Sequence, residues 1–290
     1  MIKNSEAVLR FAPSPNGELH LGHAYSALFT AEMAQRLGGR CLLRIENIDL
    51  GRCRPEYEAQ IYEDLVWLGL TWETPVRRQS EHFDDYRAAL DKLDALGVIY
   101  PCFATRREIA EAARGYDPDG APLYPGLWRD GPSAEVQRRM AAGEPYALRL
   151  NSVRARERAR AGFWTSFKLV DGELEATPVE AKPERWGDAV LARKDMPTSY
   201  HLSVVVDDAL QSVTHITRGA DLLAATDFHV LLQALLGLPT PFYAHHELIT
   251  LDGRKLAKSA GDQSLRALRE AGVTPADILS FIQSADKLGV

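Results

Sequence analysis

The sequence predicts an α/β protein. A Rossmann-like parallel sheet forms its catalytic core, a mixed α+β insertion interrupts that core, and a short helical segment ends the chain. Two observations predict this class. In the first hundred residues, strand-like apolar runs alternate with helix-like apolar spacing, an order typical of a parallel sheet covered by helices. The same alternation resumes after a turn-rich stretch at residues 115–132, which marks the insertion.

The first half of the core, residues 1–100, alternates predicted strands and helices. Short buried apolar runs favour strands, and apolar residues three or four positions apart favour helices. In chain order the elements are a strand at 8–11, a helix from about Leu21, a strand at 41–45, a helix from about Pro55, a helix with an apolar stripe including Phe83 and Tyr86, and a strand at 98–103.

The rest of the chain divides into three further segments. Residues 101–187 form the predicted insertion, with strand-like pieces at 146–150 and 163–170. Residues 188–262 form the second half of the core, and residues 263–290 form the short helical C-terminus. The second half contains a predicted strand at 213–217, a helix at 221–236 and a strand-like run at 242–251. The C-terminus contains helical stretches at 265–269 and 275–282.

Composition sets the broad class. The chain has 290 residues, of which 46% are hydrophobic and 26% charged, as in ordinary globular proteins. No apolar run approaches the roughly 18 residues of a membrane span, and the N-terminus lacks the apolar region of a secretory signal. The three cysteines, Cys41, Cys53 and Cys102, are scattered and predict no disulfide framework. We therefore expect a cytoplasmic protein with no membrane partner.

The net charge of −6 argues against a broad nucleic-acid binder, since such proteins are usually basic. One basic run stands out, with arginines at 154, 156, 158 and 160. On a strand they would share one face, whereas on a helix they would spread around it. A solvated charged segment is the favoured interpretation of this run.

The most informative stretch, RFAPSPNGELHLGH at residues 10–23, joins the first strand to the first helix. Unpaired N–H groups at a helix N-terminus, together with the helix dipole, favour anions. His20 and His23 add hydrogen-bond donors, and Gly22 lets a ligand approach the backbone closely. Two histidines at a helix start, taken alone, are also compatible with a polar cap or a metal pair.

A second stretch, Lys255-Leu-Ala-Lys-Ser259, follows the turn at Asp252 and Gly253. Two lysines on a loop suit a polyphosphate, because their charges stabilise the negative charge of a leaving pyrophosphate. A lone pair of lysines is more typical of solvated surface.

Together and in this order, the two stretches resemble the "HIGH" and "KMSKS" signatures of class I aminoacyl-tRNA synthetases. The run at residues 10–15 narrows the resemblance to the glutamyl/glutaminyl branch. Leu256 and Ala257 replace the usual Met and Ser of the second signature. The resemblance implies an ATP-dependent ligase in which a carboxylate attacks the α-phosphorus of ATP, with Mg²⁺ accompanying the nucleotide. It implies ATP binding by His20, Gly22, His23, Lys255, Lys258 and Ser259, and catalytic roles for His20, His23 and Lys258.

Four side chains have the chemical groups that an L-glutamate site needs. Arg10 offers a guanidinium that forks onto a carboxylate, Glu46 accepts from an ammonium group, Tyr200 donates a phenolic hydrogen bond, and Arg218 supplies a second cation. The resemblance places these four in the glutamate site together with Phe11, Ala12, Pro13 and Ser14.

Each of these four residues has a structural alternative when taken singly. Glu46 is compatible with a surface pair to Arg44, Tyr200 with a core position, and Arg218 with a helix cap or a pair with Asp221. Asn47 also departs from the aspartate of the family's "RIED" run.

The chain after Ser259 is too short for an anticodon-reading domain, which would need on the order of 100 residues. This narrows the resemblance to the glutamyl-Q tRNA(Asp) synthetases, which activate glutamate without tRNA and transfer it to queuosine at the wobble position of tRNA(Asp). The implied partners are L-glutamate, ATP and queuosine-modified tRNA(Asp), bound by a monomer.

The same family often holds zinc in its insertion through three cysteines and a tyrosine. In this chain Cys102 and Tyr124 match that pattern, whereas Ala104 and Trp128 stand where the other cysteines would be. Two ligands cannot complete a tetrahedral zinc site, so the sequence predicts no zinc.

Three other functions remain open at this point. A truncated glutamyl-tRNA synthetase would charge the tRNA 3′ end. A non-catalytic paralogue would bind tRNA or nucleotide, although it would not need the retained histidines and lysines. Another nucleotidyltransferase of similar fold would not need Arg10, Tyr200 and Arg218.

Overall fold

A computed structural model describes residues 6–159, 162–193, 195–251, 254–255 and 263–286. The helices are α1 Leu21–Arg36, α2 Pro55–Trp67, α3 Phe83–Ala95, α4 Arg106–Ala112, α5 Ser133–Ala141, α6 Ser152–Arg158, α7 Tyr200–Leu210, α8 Leu223–Leu236, α9 Leu265–Glu270 and α10 Pro275–Asp286. The strands are β1 Val8–Phe11, β2 Arg40–Ile45, β3 Arg77–Arg78, β4 Ile99–Cys102, β5 Ala147–Leu150, β6 Phe163–Val170, β7 Glu173–Glu180, β8 Val190–Ala192, β9 His215–Gly219, β10 Phe242–His246, β11 Thr250–Leu251 and β12 Arg254–Lys255.

The core is a largely parallel sheet built from two pieces. Strands β1, β2 and β3 pair in parallel, and β10 pairs in parallel with both β9 and β6. The Thr214 N–H donates to the Val8 carbonyl at 2.9 Å, which places the start of β9 against the start of β1. The predicted α/β class with a parallel sheet is confirmed.

A smaller antiparallel sheet, in the order β4-β5-β8, lies outside the parallel sheet. The strand predicted at 98–103 forms as β4, but it pairs with β5 in this sheet. The strand that pairs in parallel with β2 on its other side is β3. β3 has only two residues, both arginines, so the spacing of apolar residues does not predict it. The hairpin β6–β7 extends the parallel sheet, because β6 pairs with β10. Strand β8 belongs to the antiparallel sheet, where it pairs with β5. The division at residues 101–187 stays a prediction.

Two apolar clusters hold the helices against the sheets. One gathers buried residues of α3, α7 and α8, and the other joins α1 and α2 to the C-terminal helices α9 and α10. The basic run falls on the short helix α6, where Arg154, Arg156 and Arg158 are exposed; Arg160 lies outside the described residues. Within the described ranges, no helix combines the length and apolarity needed to cross a bilayer.

Candidate active site

A cavity of about 650 Å³ opens where β1, β2 and β9 end and α1 begins. This is where ligands usually bind in open α/β sheets. Every residue predicted for the glutamate site lines the cavity, namely Arg10, Phe11, Ala12, Pro13, Ser14, Glu46, Tyr200 and Arg218. So do the nucleotide-site residues His20, Gly22 and His23. Lys258 and Ser259 lie outside the described residues, and so does the side chain of Lys255, whose backbone closes β12.

The two histidines cap α1 reciprocally. His20 is the N-cap, and its Nδ1 accepts from the Gly22 N–H at 3.1 Å, while the His20 N–H donates to Nδ1 of His23 at 3.1 Å. A neutral ring whose Nδ1 accepts carries its proton on Nε2. Both rings therefore present Nε2–H donors at the helix end that attracts anions. A Cβ at position 22 would lie 3.0 Å from Cε1 of His20, so glycine leaves room for this cap.

Arg10 and Arg44 share one buried carboxylate, that of Asp208 in α7. Arg10 Nε donates to Asp208 Oδ1 at 2.9 Å, and Arg44 Nη1 donates to the same oxygen at 2.7 Å. Burial alone would raise the pKa of Asp208, but the two guanidinium groups outweigh it and hold that pKa below its ordinary value. Arg10 is thus fixed at the end of β1 by a partner almost two hundred positions away in sequence.

Glu46 follows β2 and receives the other arm of Arg44, whose Nη2 donates to Glu46 Oε1 at 3.1 Å. The pair predicted as a surface alternative therefore forms, but it is internal, because the side chain of Arg44 is fully buried. Burial raises the pKa of Glu46, and Arg44 opposes that rise only in part. Because burial still disfavours the charged form of Glu46, a substrate ammonium group beside it would stabilise that form.

Asp207, the neighbour of Asp208, anchors the same network from the other side. Its carboxylate accepts from Arg77 Nε at 2.7 Å, from Gln79 Nε2 at 2.8 Å and from the Tyr86 hydroxyl at 2.9 Å. Neither aspartate was predicted as a site residue from the sequence. The sequence did contain a signal for them, because two adjacent acids directly follow Val204-Val205-Val206 in an apolar helix. Acids buried in such a helix need cationic or hydrogen-bonding partners.

Arg218, near the end of β9, is buried and has neutral partners. Its Nη2 donates to Thr226 Oγ1 at 2.6 Å, its Nε to His245 Nε2 at 3.3 Å and its Nη1 to His229 Nδ1 at 3.1 Å. The predicted alternatives, a helix cap or a pair with Asp221, are absent from its described contacts. These two histidines, which come from α8 and β10, were not predicted as site residues.

Tyr200 opens α7 and is half-buried between two cavities. Burial raises the pKa of its hydroxyl, which therefore stays protonated and able to donate. The second cavity, of about 760 Å³, shares Ser14, Glu46 and Tyr200 with the first. It extends toward the antiparallel sheet, where Arg149 and Arg193 contribute to its wall.

Cys102 and Tyr124, the two residues predicted to match the zinc pattern, contact each other directly. The Cys102 thiol donates to the Tyr124 hydroxyl at 3.2 Å, and the same oxygen accepts from the Trp128 N–H at 2.8 Å. The guanidinium of Arg139 lies 4.9 Å from the Trp128 ring and 5.3 Å from the Phe103 ring. Among the described residues, no group of three His, Cys, Asp or Glu side chains is placed to hold a metal ion.

Residues 6–285 match the family of class I tRNA synthetases (E and Q), catalytic domain. The fold and the cavity are therefore those of a class I tRNA synthetase catalytic domain of the glutamate and glutamine branch. A crystal structure of a glutamate tRNA ligase from Elizabethkingia meningosepticum, in complex with its amino acid, superimposes with a TM-score of 0.68 at 27% identity. The match covers 92% of this chain and 53% of that one, so the chain spans about half the length of the ligase.

Sequence relatives narrow the class. The chain is 48% identical over 282 residues to a glutamyl-Q tRNA(Asp) synthetase of Rhodobacter capsulatus, covering 95% of this chain and 99% of the relative. It is 40% identical over 290 residues to a protein of the same name from Symbiobacterium thermophilum, covering 94% and 84%. The chain belongs to the glutamyl-Q tRNA(Asp) synthetase family.

Proposed function

We propose that this protein activates L-glutamate with ATP in the absence of tRNA and then transfers the glutamyl group to queuosine at the wobble position of tRNA(Asp). One observation carries the proposal. A single cavity brings the imidazole-capped start of α1 together with Arg10, Glu46, Tyr200 and Arg218. An anion site beside a site for an ammonium and a carboxylate suits ATP next to glutamate. The family relatives bear names with the same acceptor, tRNA(Asp).

In the proposed first step, an oxygen of the substrate α-carboxylate attacks the α-phosphorus of ATP. The bond between that phosphorus and the bridging oxygen breaks, which gives glutamyl-adenylate and pyrophosphate. The protein supplies positioning and charge stabilisation, with no nucleophile of its own. Nε2–H of His20 and of His23 stabilise charge on the phosphates, while Glu46 holds the ammonium group and Arg218 holds the side-chain carboxylate.

Lys255, Lys258 and Ser259 complete the proposed ATP site, with Lys258 contacting the phosphates during reaction. Mg²⁺ enters with ATP as part of the substrate and neutralises phosphate charge. The backbone and side chains of residues 11–14 line the glutamate site beside Arg10. Zinc has no part in the proposal.

In the proposed second step, the acceptor nucleoside occupies the second cavity. That cavity meets the first at Ser14, Glu46 and Tyr200, so an acceptor there lies next to the activated carbonyl. A hydroxyl oxygen of the acceptor attacks the carbonyl carbon of the adenylate, the bond from that carbon to the phosphate oxygen breaks, AMP leaves, and the hydroxyl proton passes to solvent. The proposed enzyme acts in the cytoplasm, where ATP and tRNA occur together, and as a monomer, because one chain builds both cavities.

The first step is tested by glutamate-dependent ATP–pyrophosphate exchange without tRNA. In His23→Asn, an amide oxygen replaces Nδ1 and preserves the cap, but the Nε2–H donor is lost. We expect kcat/KM to fall about 10²- to 10³-fold, as when one transition-state donor is removed. Lys258→Ala tests the lysine in the same assay. His82→Asn is the matched control, because His82 is partly exposed and lies outside both cavities. Wild-type exchange in His23→Asn would contradict the assigned role.

The second step is tested with labelled glutamate, ATP and tRNA(Asp) prepared with and without queuosine. Label in the modified tRNA alone supports the proposal. Label at the 3′ end, lost when the terminal ribose is first oxidised with periodate, would identify a truncated glutamyl-tRNA synthetase instead. Absence of both exchange and labelling would favour a non-catalytic paralogue.

A further inference from the structure

Arg218 differs from two other buried arginines, Arg10 and Arg44, in the charge of its partners. Arg10 and Arg44 both pair with the Asp208 carboxylate. Arg218, only 4% exposed, forms no ion pair with a carboxylate of the described residues. Its described hydrogen-bond partners are two imidazoles and one hydroxyl, and its guanidinium also lies 5.2 Å from the centre of the Tyr243 ring, so every described partner is neutral. A buried cation without an anionic partner is costly, so this site is suited to receive an anion from a ligand.

The contacts of Arg218 fix the proton positions of its neighbours. A guanidinium has donors only, so each ring nitrogen that it contacts must accept. Nδ1 of His229 therefore carries no proton, and the neutral ring holds its proton on Nε2. That Nε2 lies 3.1 Å from Nδ1 of His201, which must then accept in turn. The result is a directed chain from Arg218 through His229 to His201, which we name the histidine relay.

Electrostatics favours the neutral form of every imidazole near this guanidinium. Burial and the charge of Arg218 hold the pKa of His229 well below its ordinary value, and they lower that of His201 to about 4. His245, on the other side of Arg218, is likewise depressed, to about 3. Its Nε2 accepts from Arg218, so the Thr226 hydroxyl, 2.9 Å from that nitrogen, donates to it.

The relay settles which donors of Arg218 remain for a ligand. A guanidinium has five N–H groups. In Arg218, one N–H of Nε donates to His245, one of Nη1 to His229 and one of Nη2 to Thr226. Nη1 and Nη2 each keep a second N–H. Two donors on neighbouring nitrogens suit the two oxygens of a carboxylate, and Arg218 lines the cavity proposed for glutamate.

The far end of the relay is also fixed. The ring of His201 packs edge-on against Trp186 and Phe228, with centroid distances of 4.8 Å and 5.1 Å. His201 also lines the second cavity, and it neighbours Tyr200, which lines both. His229 is thus held between a rigid ring on one side and the guanidinium on the other.

We propose that His229, itself oriented by His201, is a positioning residue that aims the guanidinium of Arg218 at the side-chain carboxylate of the amino-acid substrate. The inference rests on the proposed function for the identity of that substrate. It assigns a role to residues that touch neither ATP nor the reacting atoms.

The proton positions are tested without any variant. In protein labelled with ¹⁵N-histidine, we expect His229 and His201 to show a bare Nδ1 and a protonated Nε2 at neutral pH, whether or not glutamate is present. A proton on Nδ1 of His229, or a charged ring, would overturn the relay. This readout is independent of activity, so a failure of the proposed function is distinguished from a failure of the relay.

The positioning role is tested by a matched pair of variants in glutamate-dependent pyrophosphate exchange. His229→Asn keeps an acceptor in place of Nδ1, whereas His229→Gln places its amide where Nε2 stood and removes the acceptor for Arg218. We expect His229→Gln to raise the KM for glutamate about ten- to hundredfold and the KM for ATP less than about twofold. His229→Asn should stay within about threefold of wild type for both substrates.

Equal KM values for glutamate in the two variants, or a parallel rise in the KM for ATP, would overturn the proposal. If His229→Gln does not fold, His201→Phe provides the second measurement, because it leaves Arg218 its acceptor but removes the acceptor for His229. We then expect a smaller rise in the KM for glutamate alone, and an unchanged value would refute the ordering of the relay.

Discussion

The titration of His201 predicts a measurable loss of stability in mild acid. The ordinary pKa of a histidine is 6.5, whereas burial and then the nearby Arg218 charge lower the pKa of His201 to about 4. The unfolded chain therefore takes up this proton first as the pH falls. The stabilisation from neutral His201 is complete above pH 6.5 and declines as the pH drops from 6.5 toward 4.

The magnitude follows from these two pKa values. Between pH 7 and pH 5 the unfolded histidine becomes almost fully protonated, and the folded one stays largely neutral. At about 1.36 kcal/mol per pKa unit, the free energy of unfolding should fall by roughly 2 kcal/mol from this residue. Because His201 borders the second cavity, water reaches part of the ring, and roughly 1–2 kcal/mol is the range to expect.

The perturbation is His201→Asn, which keeps an acceptor for His229 but cannot titrate. Urea unfolding at pH 7, 6 and 5 gives the free energy of unfolding for each protein. The variant should lose roughly 1–2 kcal/mol less than wild type between pH 7 and pH 5. Identical pH dependence in wild type and His201→Asn would refute the reasoning.

Three further predictions concern the buried charges and the antiparallel sheet. Asp208→Asn breaks two buried ion pairs and should lower the free energy of unfolding by about 3–5 kcal/mol in urea titrations; a loss as small as that of the exposed control Asp84→Asn would contradict the network. Arg139→Ala removes contacts with two aromatic rings. In thermal unfolding it should lower the free energy of unfolding by about 1 kcal/mol more than Arg138→Ala, whose arginine pairs with the same glutamate. Equal losses in the two variants would refute that packing. Elemental analysis should find well under one zinc per chain, and EDTA should leave the melting temperature unchanged; stoichiometric zinc would refute the interpretation of Cys102.

The sequence predicted the site best where its parts are neighbours in the chain. The strand, the loop and the helix start at residues 8–23 follow from local apolar spacing, prolines and glycine, and the structure forms β1 and α1 there. Element ends were less accurate. The strand predicted at 213–217 lies two residues later, at His215–Gly219.

The spacing of apolar residues within a strand did not predict which strands pair. β4 has the apolar character of a core strand, yet its partner is β5 in the antiparallel sheet. β3 consists of Arg77 and Arg78, which pair with carboxylates of other elements, Arg77 with Asp207 and Arg78 with Glu58. No periodicity within the strand itself reports such partners.

By itself, the sequence predicted the class of fold and many of the residues that line the cavity, because short motifs carry their own backbone geometry and chemistry. Only the tertiary structure decided how those side chains are held. Asp208 reaches Arg10 across 198 positions, and His229 and His245 meet Arg218 from a helix and a neighbouring strand. The physical reason is burial: a charge or imidazole taken out of water depends on whichever partners the fold brings within hydrogen-bond distance.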